Sequence, residues 1–309
     1  MKIIATAAAA ALMSGSAMAA DLSGLYGAPG AMTETSRDVS NIVGEVSLWV
    51  GAGFVDADED NFNQDTVFNF GGDGRAAWNM DNGFGLQFEL QGRGGFSYDE
   101  DEGDDDDDDD NNLAYVATAV HGFTRGDSYA LGAYGSIYGG GQVENDDSTY
   151  YVGGAFEAAT FLGNNTLFGQ IGGGTLLNDG EGAENHYFGR AGWRYFYTDY
   201  TKLEIDGLIG GVTGTPGTIS FPGGEPDGIY ANWGVELEHQ YMGTPLAAFI
   251  AYRGYYTDED DPDESSDNMH EHVFKLGATL RFGGDARTVD HYMPFDAADQ
   301  SQLLFWDEL

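Results

Sequence analysis

Residues 76–93 read AAWNMDNGFGLQFELQGR, and this stretch decides the fold. Phe84, Leu86, Phe88 and Leu90 fall on one face, and Gln87, Glu89, Gln91 and Arg93 on the other. A wholly apolar face opposite a polar one, at a period of two, is a strand with hydrocarbon on one side and water on the other. Asp81-Asn82-Gly83 just before it is a hairpin signal, because Asn and Gly tolerate positive φ. Upstream of the turn the pattern is mirrored: Phe68, Phe70, Ala76, Trp78 and Met80 against Asn69, Asp73, Arg75 and Asn79.

The same rhythm runs outward in both directions. Val46, Leu48, Val50, Ala52 and Phe54 oppose Glu45, Ser47 and Trp49. Further alternating segments cover roughly 113–123, 128–140, 149–161, 166–177, 186–197, 202–213, 228–241, 246–256 and 271–282. The fourth of the series leaves its facing open. Short connections fall near Thr124–Asp127, Leu162–Asn165, Thr198–Thr201 and Met242–Pro245; long ones lie at 55–66, 99–112, 142–148, 178–185, 214–227 and 257–270. About twelve strands with alternating short and long links predict an all-β chain: a closed antiparallel up-and-down transmembrane β-barrel with both ends on the short-turn rim. A β-sandwich or propeller would bury its apolar faces against each other, and its links need not alternate.

Lys2, the apolar run Ile3–Met13 and Ala17-Met18-Ala19 form an export signal over residues 1–20. No stretch approaches the ~18 apolar residues of a membrane helix. Residues 21–40 read as a periplasmic lead-in, 41–282 as the barrel, and 283–309 as a tail in the periplasm or folded back into the lumen. The absence of cysteine excludes a disulfide framework, a thiolate metal site and a Cys nucleophile. A net charge of -40 disfavours nucleic acid and anionic surfaces as partners and favours cations. An aromatic content of 14% argues against an acidic disordered chain.

Charge is sorted by position. More than half of the 52 acidic residues lie in the six long connections, which contain no Lys or Arg. Asp104, Asp105, Asp106, Asp107, Asp108, Asp109 and Asp110 form an unbroken run, and Asp258, Asp260 and Asp261 crowd the last long link. Such runs self-repel and stay solvated; they would collect cations and hold calcium or magnesium loosely at most. Asp56 to Asn61 opens like a calcium loop, but Val67 stands where the bidentate Glu belongs. No other cofactor is expected.

Bases instead take inward strand positions: Arg75, Arg93, Arg190, Arg194, Arg253, Lys275 and Arg281. Inward acids are comparable: Glu45, Asp73, Glu89, Glu157, Glu204, Asp206, Glu236 and Glu238. A charge facing lipid near the midplane costs about 2–4 kcal/mol, so the lumen is the cheap location. The hairpin turns set Arg75 opposite Glu89 and Arg194 opposite Glu204, within ion-pairing reach. Twelve strands give an intermediate diameter, and inward Gly132, Gly153, Ala155, Gly192, Gly234 and Ala251 suggest open space. Trp78, Phe123, Tyr129, Tyr195, Tyr241 and Phe282 near one rim, with Trp49, Tyr98, Tyr150 and Tyr255 near the other, suggest interfacial girdles.

Lys275-Leu276-Gly277-Ala278-Thr279-Leu280-Arg281-Phe282 resembles the terminal-strand signal of Gram-negative outer-membrane β-barrels of the porin-like superfamily, although 27 residues follow it here. The resemblance implies insertion by a barrel-assembly machinery, outer-membrane lipid and lipopolysaccharide as neighbours, and no specific family. Twelve-strand members include a phospholipase, nucleoside channels and acidic-oligosaccharide channels. No histidine is followed two residues later by Ser, as the phospholipase would require, and the acids oppose an acidic sugar substrate. An Asp/His site at the outer rim stays open through His186, His270 and His272; the last two also have the i, i+2 spacing of a zinc pair. The reading reached is a non-enzymatic, passive, cation-preferring channel for small cationic or neutral hydrophilic solutes, of open oligomeric state. Its rival is a non-conducting structural or surface-interaction barrel whose acidic loops bind divalent ions.

Overall fold

The computed structural model describes residues 41–57, 65–98, 112–142, 149–178, 182–213, 228–259 and 267–299. The export signal, the lead-in, the Asp104–Asp110 run, Asp260, Asp261 and the last ten residues lie outside them. Twelve strands follow in chain order: β1 (Ile42–Ala57), β2 (Asp65–Asn79), β3 (Phe84–Tyr98), β4 (Asn112–Arg125), β5 (Tyr129–Gln142) and β6 (Thr149–Leu162), then β7 (Asn165–Asn178), β8 (Gly182–Thr198), β9 (Thr201–Thr213), β10 (Gly228–Gln240), β11 (Leu246–Glu259) and β12 (Asp267–Phe282). Each pairs antiparallel with its sequence neighbours, and β12 closes on β1 from Gly44↔Phe282 to Ala57↔Met269. Closure leaves no free edge, which is what lets a sheet sit in lipid.

The facing follows the period-two pattern. Leu48, Val50, Phe156, Ile171, Ile209 and Leu276 point outward and are all more than half exposed, whereas Glu45, Gln87, Glu89, Arg194 and Glu204 point inward and are buried. On β4 the inward set is Tyr115, Ala117, Ala119, His121 and Phe123, with Val120 outside. At the first short turn the Met80 amide donates to Phe84 O (2.8 Å) and the Gly83 amide to Met80 O (3.0 Å). Gly83 takes φ +82, where a Cβ would be strained.

Three expectations change. β11 reaches Glu259, so Asp258 sits on a strand, across from Ile229 and Asn268, rather than in the link. Phe123 and Tyr255 are 1% exposed and point into the lumen, as does Trp49, which lines the interior cavity; none belongs to a girdle. Trp78, Tyr129, Tyr241 and Tyr150 do face outward. The inward glycines open no general space: Phe168 lies over Gly192, Tyr151 over Gly153 and the Arg253 guanidinium over Gly234. Each glycine is the socket for a neighbour's ring or fork.

Of the two positions expected for the tail, periplasm or lumen, residues 283–299 take the lumen. Gly283, at φ +86, reverses the chain against Ile42 and Val43. A short helix, α1 (Ala286–Tyr292), follows, capped by the Asp285 side chain accepting from the Thr288 amide (2.8 Å). From Pro294 to Asp299 the chain forms neither helix nor strand. Val289, Met293, Phe295, Ala297 and Ala298 are all buried among wall residues.

Candidate functional site: the lumen and the segment within it

β8 and β9 place Arg194 and Glu204 directly opposite, and the ion pair forms at 3.0 Å. Arg194, 1% exposed, also binds Asp290 of α1 (2.7 Å), Asp296, and the Pro294 carbonyl (2.8 Å). Its guanidinium lies over the Phe168 ring. Charge so deeply buried persists only when it is paired and hydrogen-bonded, and here the tail supplies three of the four oxygen partners.

Arg75 stands opposite Glu89 in register, as the turn dictates. Its ion pairs, however, go to Glu45 on the other flanking strand (2.7 Å) and to Asp296. Glu89 is turned instead to His121 (3.3 Å) and to the Ala297 amide (2.9 Å). His121 is fully buried and bridges Glu89 to Glu157, which its Nδ1 meets at 3.1 Å. So the register holds for both pairs and the pairing for one of them. The competing carboxylate of Asp296, more than 200 residues from Arg75, had no signal in the local pattern.

Arg281 spans Glu45 (2.8 Å) and Glu238 (2.5 Å), while Lys202 reaches Glu204 (3.2 Å) and Glu236 (3.4 Å). Asp206 accepts from Arg190 (3.0 Å) and Arg253 (2.6 Å). Arg93, nearer the long-link rim, pairs with Glu271. Lys202 begins the alternation Lys202, Glu204, Asp206 but was not counted among the inward bases; Gln87 faces inward as its alternation requires, whereas Asp290, Asp296, Gln170, Tyr134 and Tyr138 were not singled out because nothing local gives the tail's path through the lumen.

Between the segment and a wall formed chiefly by β1–β3 and β9–β12 a cavity of ≈ 170 Å³ remains. Of the sequence-chosen lumen residues, Arg75, Glu89, Arg190, Glu204, Asp206, Glu236 and Arg253 line it. Arg194, Glu157 and Arg93 do not: the first two lie against the segment's side, the third higher on the wall. The lining carries nine carboxylates against five cationic side chains. Asp73 faces the cavity without an ion pair among the described residues, and Lys275 lies over the Trp49 ring at 4.2 Å.

At the short-turn rim, Arg125 stacks on Tyr292 (3.8 Å), and Arg287 binds Asp199 (3.3 Å) and the Gly163 carbonyl (2.6 Å). His291 packs on Phe161; burial first, and then the nearby Arg125, push its imidazole down to about 4. His186 points inward among Tyr151 and Tyr230, whereas His272 stacks with Tyr252 and His270 on the outer side of the wall. Among the described residues no group of three His, Asp or Glu is placed to hold a metal ion.

No family model matches the chain, and no curated protein matches it. Among solved structures the barrel is similar to an outer-membrane channel from Pseudomonas putida F1, with 12% identity over 83% of this chain and 100% of that one and a TM-score of 0.49. It is also similar to the NanC porin, at 9% identity, 76% and 100% coverage and a TM-score of 0.45. The translocator domain of the autotransporter NalP from Neisseria meningitidis matches at 13% identity, 90% and 98% coverage and a TM-score of 0.44. At such identities the likeness is one of fold alone.

Proposed function

We propose that this chain is an outer-membrane channel that passes small hydrophilic solutes passively and prefers cations. The supporting observation is the cavity beside the C-terminal segment, where nine carboxylates face five cationic groups. A narrow, low-dielectric path with excess negative charge favours cations by electrostatic attraction and rejects anions by the same field. Asp73 and Glu236 would be the main attractors, and the ladder Arg75, Arg190, Arg253 opposite Glu204 and Asp206 would orient dipolar solutes. The acidic long links, Asp104–Asp110 above all, would raise the cation concentration at the mouth, with calcium or magnesium as loosely held occupants.

The segment in the lumen also favours a second reading, a non-conducting structural or surface-interaction barrel. Single-channel recording of the refolded mature protein in planar bilayers under a KCl gradient separates the two. Small discrete steps with a cation-selective reversal potential are expected. Silence from folded, heat-modifiable protein would overturn the channel and leave the structural barrel.

A further inference from the structure

The stretch Pro294–Asp299 is held chiefly through its main chain. All six of its carbonyl oxygens accept hydrogen bonds from wall side chains. Pro294 receives Arg194 Nη1 (2.8 Å), and Phe295 receives Gln87 Nε2 (2.7 Å) and Arg75 Nη1 (3.2 Å). Asp296 receives Gln170 Nε2 (2.6 Å), and Arg190 Nη1 lies 3.3 Å from Asp296 O and 3.5 Å from Ala297 O. Higher up, the Tyr138 hydroxyl donates to Ala298 (2.5 Å) and Asn232 Nδ2 to Asp299 (3.0 Å). Two amides are used as well: Ala297 donates to Glu89 Oε2 (2.9 Å) and Ala298 to the Tyr134 hydroxyl (3.2 Å). The donors come from β2, β3, β5, β7, β8 and β10, so widely separated strands converge on one thread.

Side-chain reading is sparser. Asp290 and Asp296 meet Arg194, and Phe295 meets the edge of Phe123. Ala297 and Ala298 are buried in one cluster with wall residues that include Tyr134 and Tyr138, so small residues fill these places. A set of buried donors directed at successive carbonyls is the chemistry by which proteins hold an extended peptide. Without a chain in place, those same groups would be left without these partners in the lumen.

We propose that the lumen wall is a peptide-binding site, filled in cis by residues 285–299. The ligand class it takes in trans is an extended acidic peptide with small residues following a carboxylate. This goes beyond the channel reading, and because its test reads binding rather than conductance, either can fail without the other.

The test uses the full chain with a protease recognition sequence placed at the exposed Gly283–Gly284 link, cleaved after folding. The cleaved fragment is expected to co-elute with the barrel and to exchange against a fluorescein-labelled synthetic peptide of residues 285–299. A peptide carrying Asp290→Asn and Asp296→Asn should bind at least tenfold more weakly. In parallel, the uncleaved chain with the same two substitutions, whose own segment is loosened, should take up the labelled peptide where the unsubstituted chain does not. Equal binding of a reversed-sequence peptide would overturn the proposal. So would loss of the fragment without rebinding, or a fragment that never exchanges together with no uptake by the loosened chain, which would make the segment a permanent part of the wall.

Discussion

On the β4–β8 side of the lumen, rings and small residues close on the entering segment: Tyr115, Tyr138, Tyr151 and Phe188 share one buried cluster with Ala297 and Ala298. On the side formed chiefly by β1–β3 and β9–β12, the interior residues border a cavity and are mostly charged. Both sides arise from the same alternation, with lipid outside and non-lipid inside. What separates them is the thread opposite. Where it lies against the wall, hydrogen bonds and dispersion fill the space; where it does not, a cavity remains and carboxylates exceed their counter-charges. Strand periodicity reports that a residue avoids lipid, but not whether its surroundings are wet or dry.

The contrast between the filled half and the half that borders the cavity can be broken most severely at Arg194. Arg194→Met would strand Glu204, Asp290 and Asp296 without their shared cation, and removing one partner from buried ion pairs costs about 3–5 kcal/mol. Denaturation midpoints in detergent or lipid should fall accordingly, and the tail should become accessible to protease. An unchanged midpoint would mean the segment contributes nothing to the packed half.

Gly283→Val attacks the entry instead. A Cβ there would lie 2.7 Å from the Ile42 carbonyl at a φ of +86, a strain of about 1–3 kcal/mol. Limited proteolysis of reconstituted protein should cut after Phe282 several-fold faster than in the parent. The open half is sharpened by Asp73→Asn: the KCl-gradient reversal potential should move toward zero with little change in thermal midpoint, because Asp73 lines the cavity and has no ion pair among the described residues. A reversal potential that stays put would locate selectivity elsewhere.

The smallest effect concerns acid. His291 titrates near 4 when seated and near its ordinary 6.5 when released, so the seated form binds fewer protons. Its contribution to seating is complete above pH 6.5 and is lost as pH falls toward 4. Protease sensitivity of the tail should rise over that interval, and His291→Gln should flatten the rise. A parent chain as protected at pH 4 as at pH 7 would contradict it.

Much of the site was legible beforehand. Arg75, Glu89, Arg190, Arg194, Glu204, Asp206, Glu236 and Arg253 face inward as their alternation requires, and the turns fixed Arg75↔Glu89 and Arg194↔Glu204. The pairing itself was less legible. Arg75 stands directly opposite two carboxylates, Glu45 on β1 and Glu89 on β3, and pairs with the first while Asp296 reaches it from the tail; register offers both partners but does not choose between them. Inward glycines misled for a related reason: a missing side chain marks a socket as readily as a void, and Gly192 is filled by Phe168.

The sequence by itself determined the barrel: strand number, facing, register and rim polarity. Those follow from interactions between residues two apart or joined by a tight turn, with lipid imposing one face everywhere. Only the tertiary structure decided what fills the lumen. The partners of Asp290, Asp296 and the carbonyls between them come from strands brought together when β12 closes on β1. A segment that fits many distant donors at once has no local period to betray it.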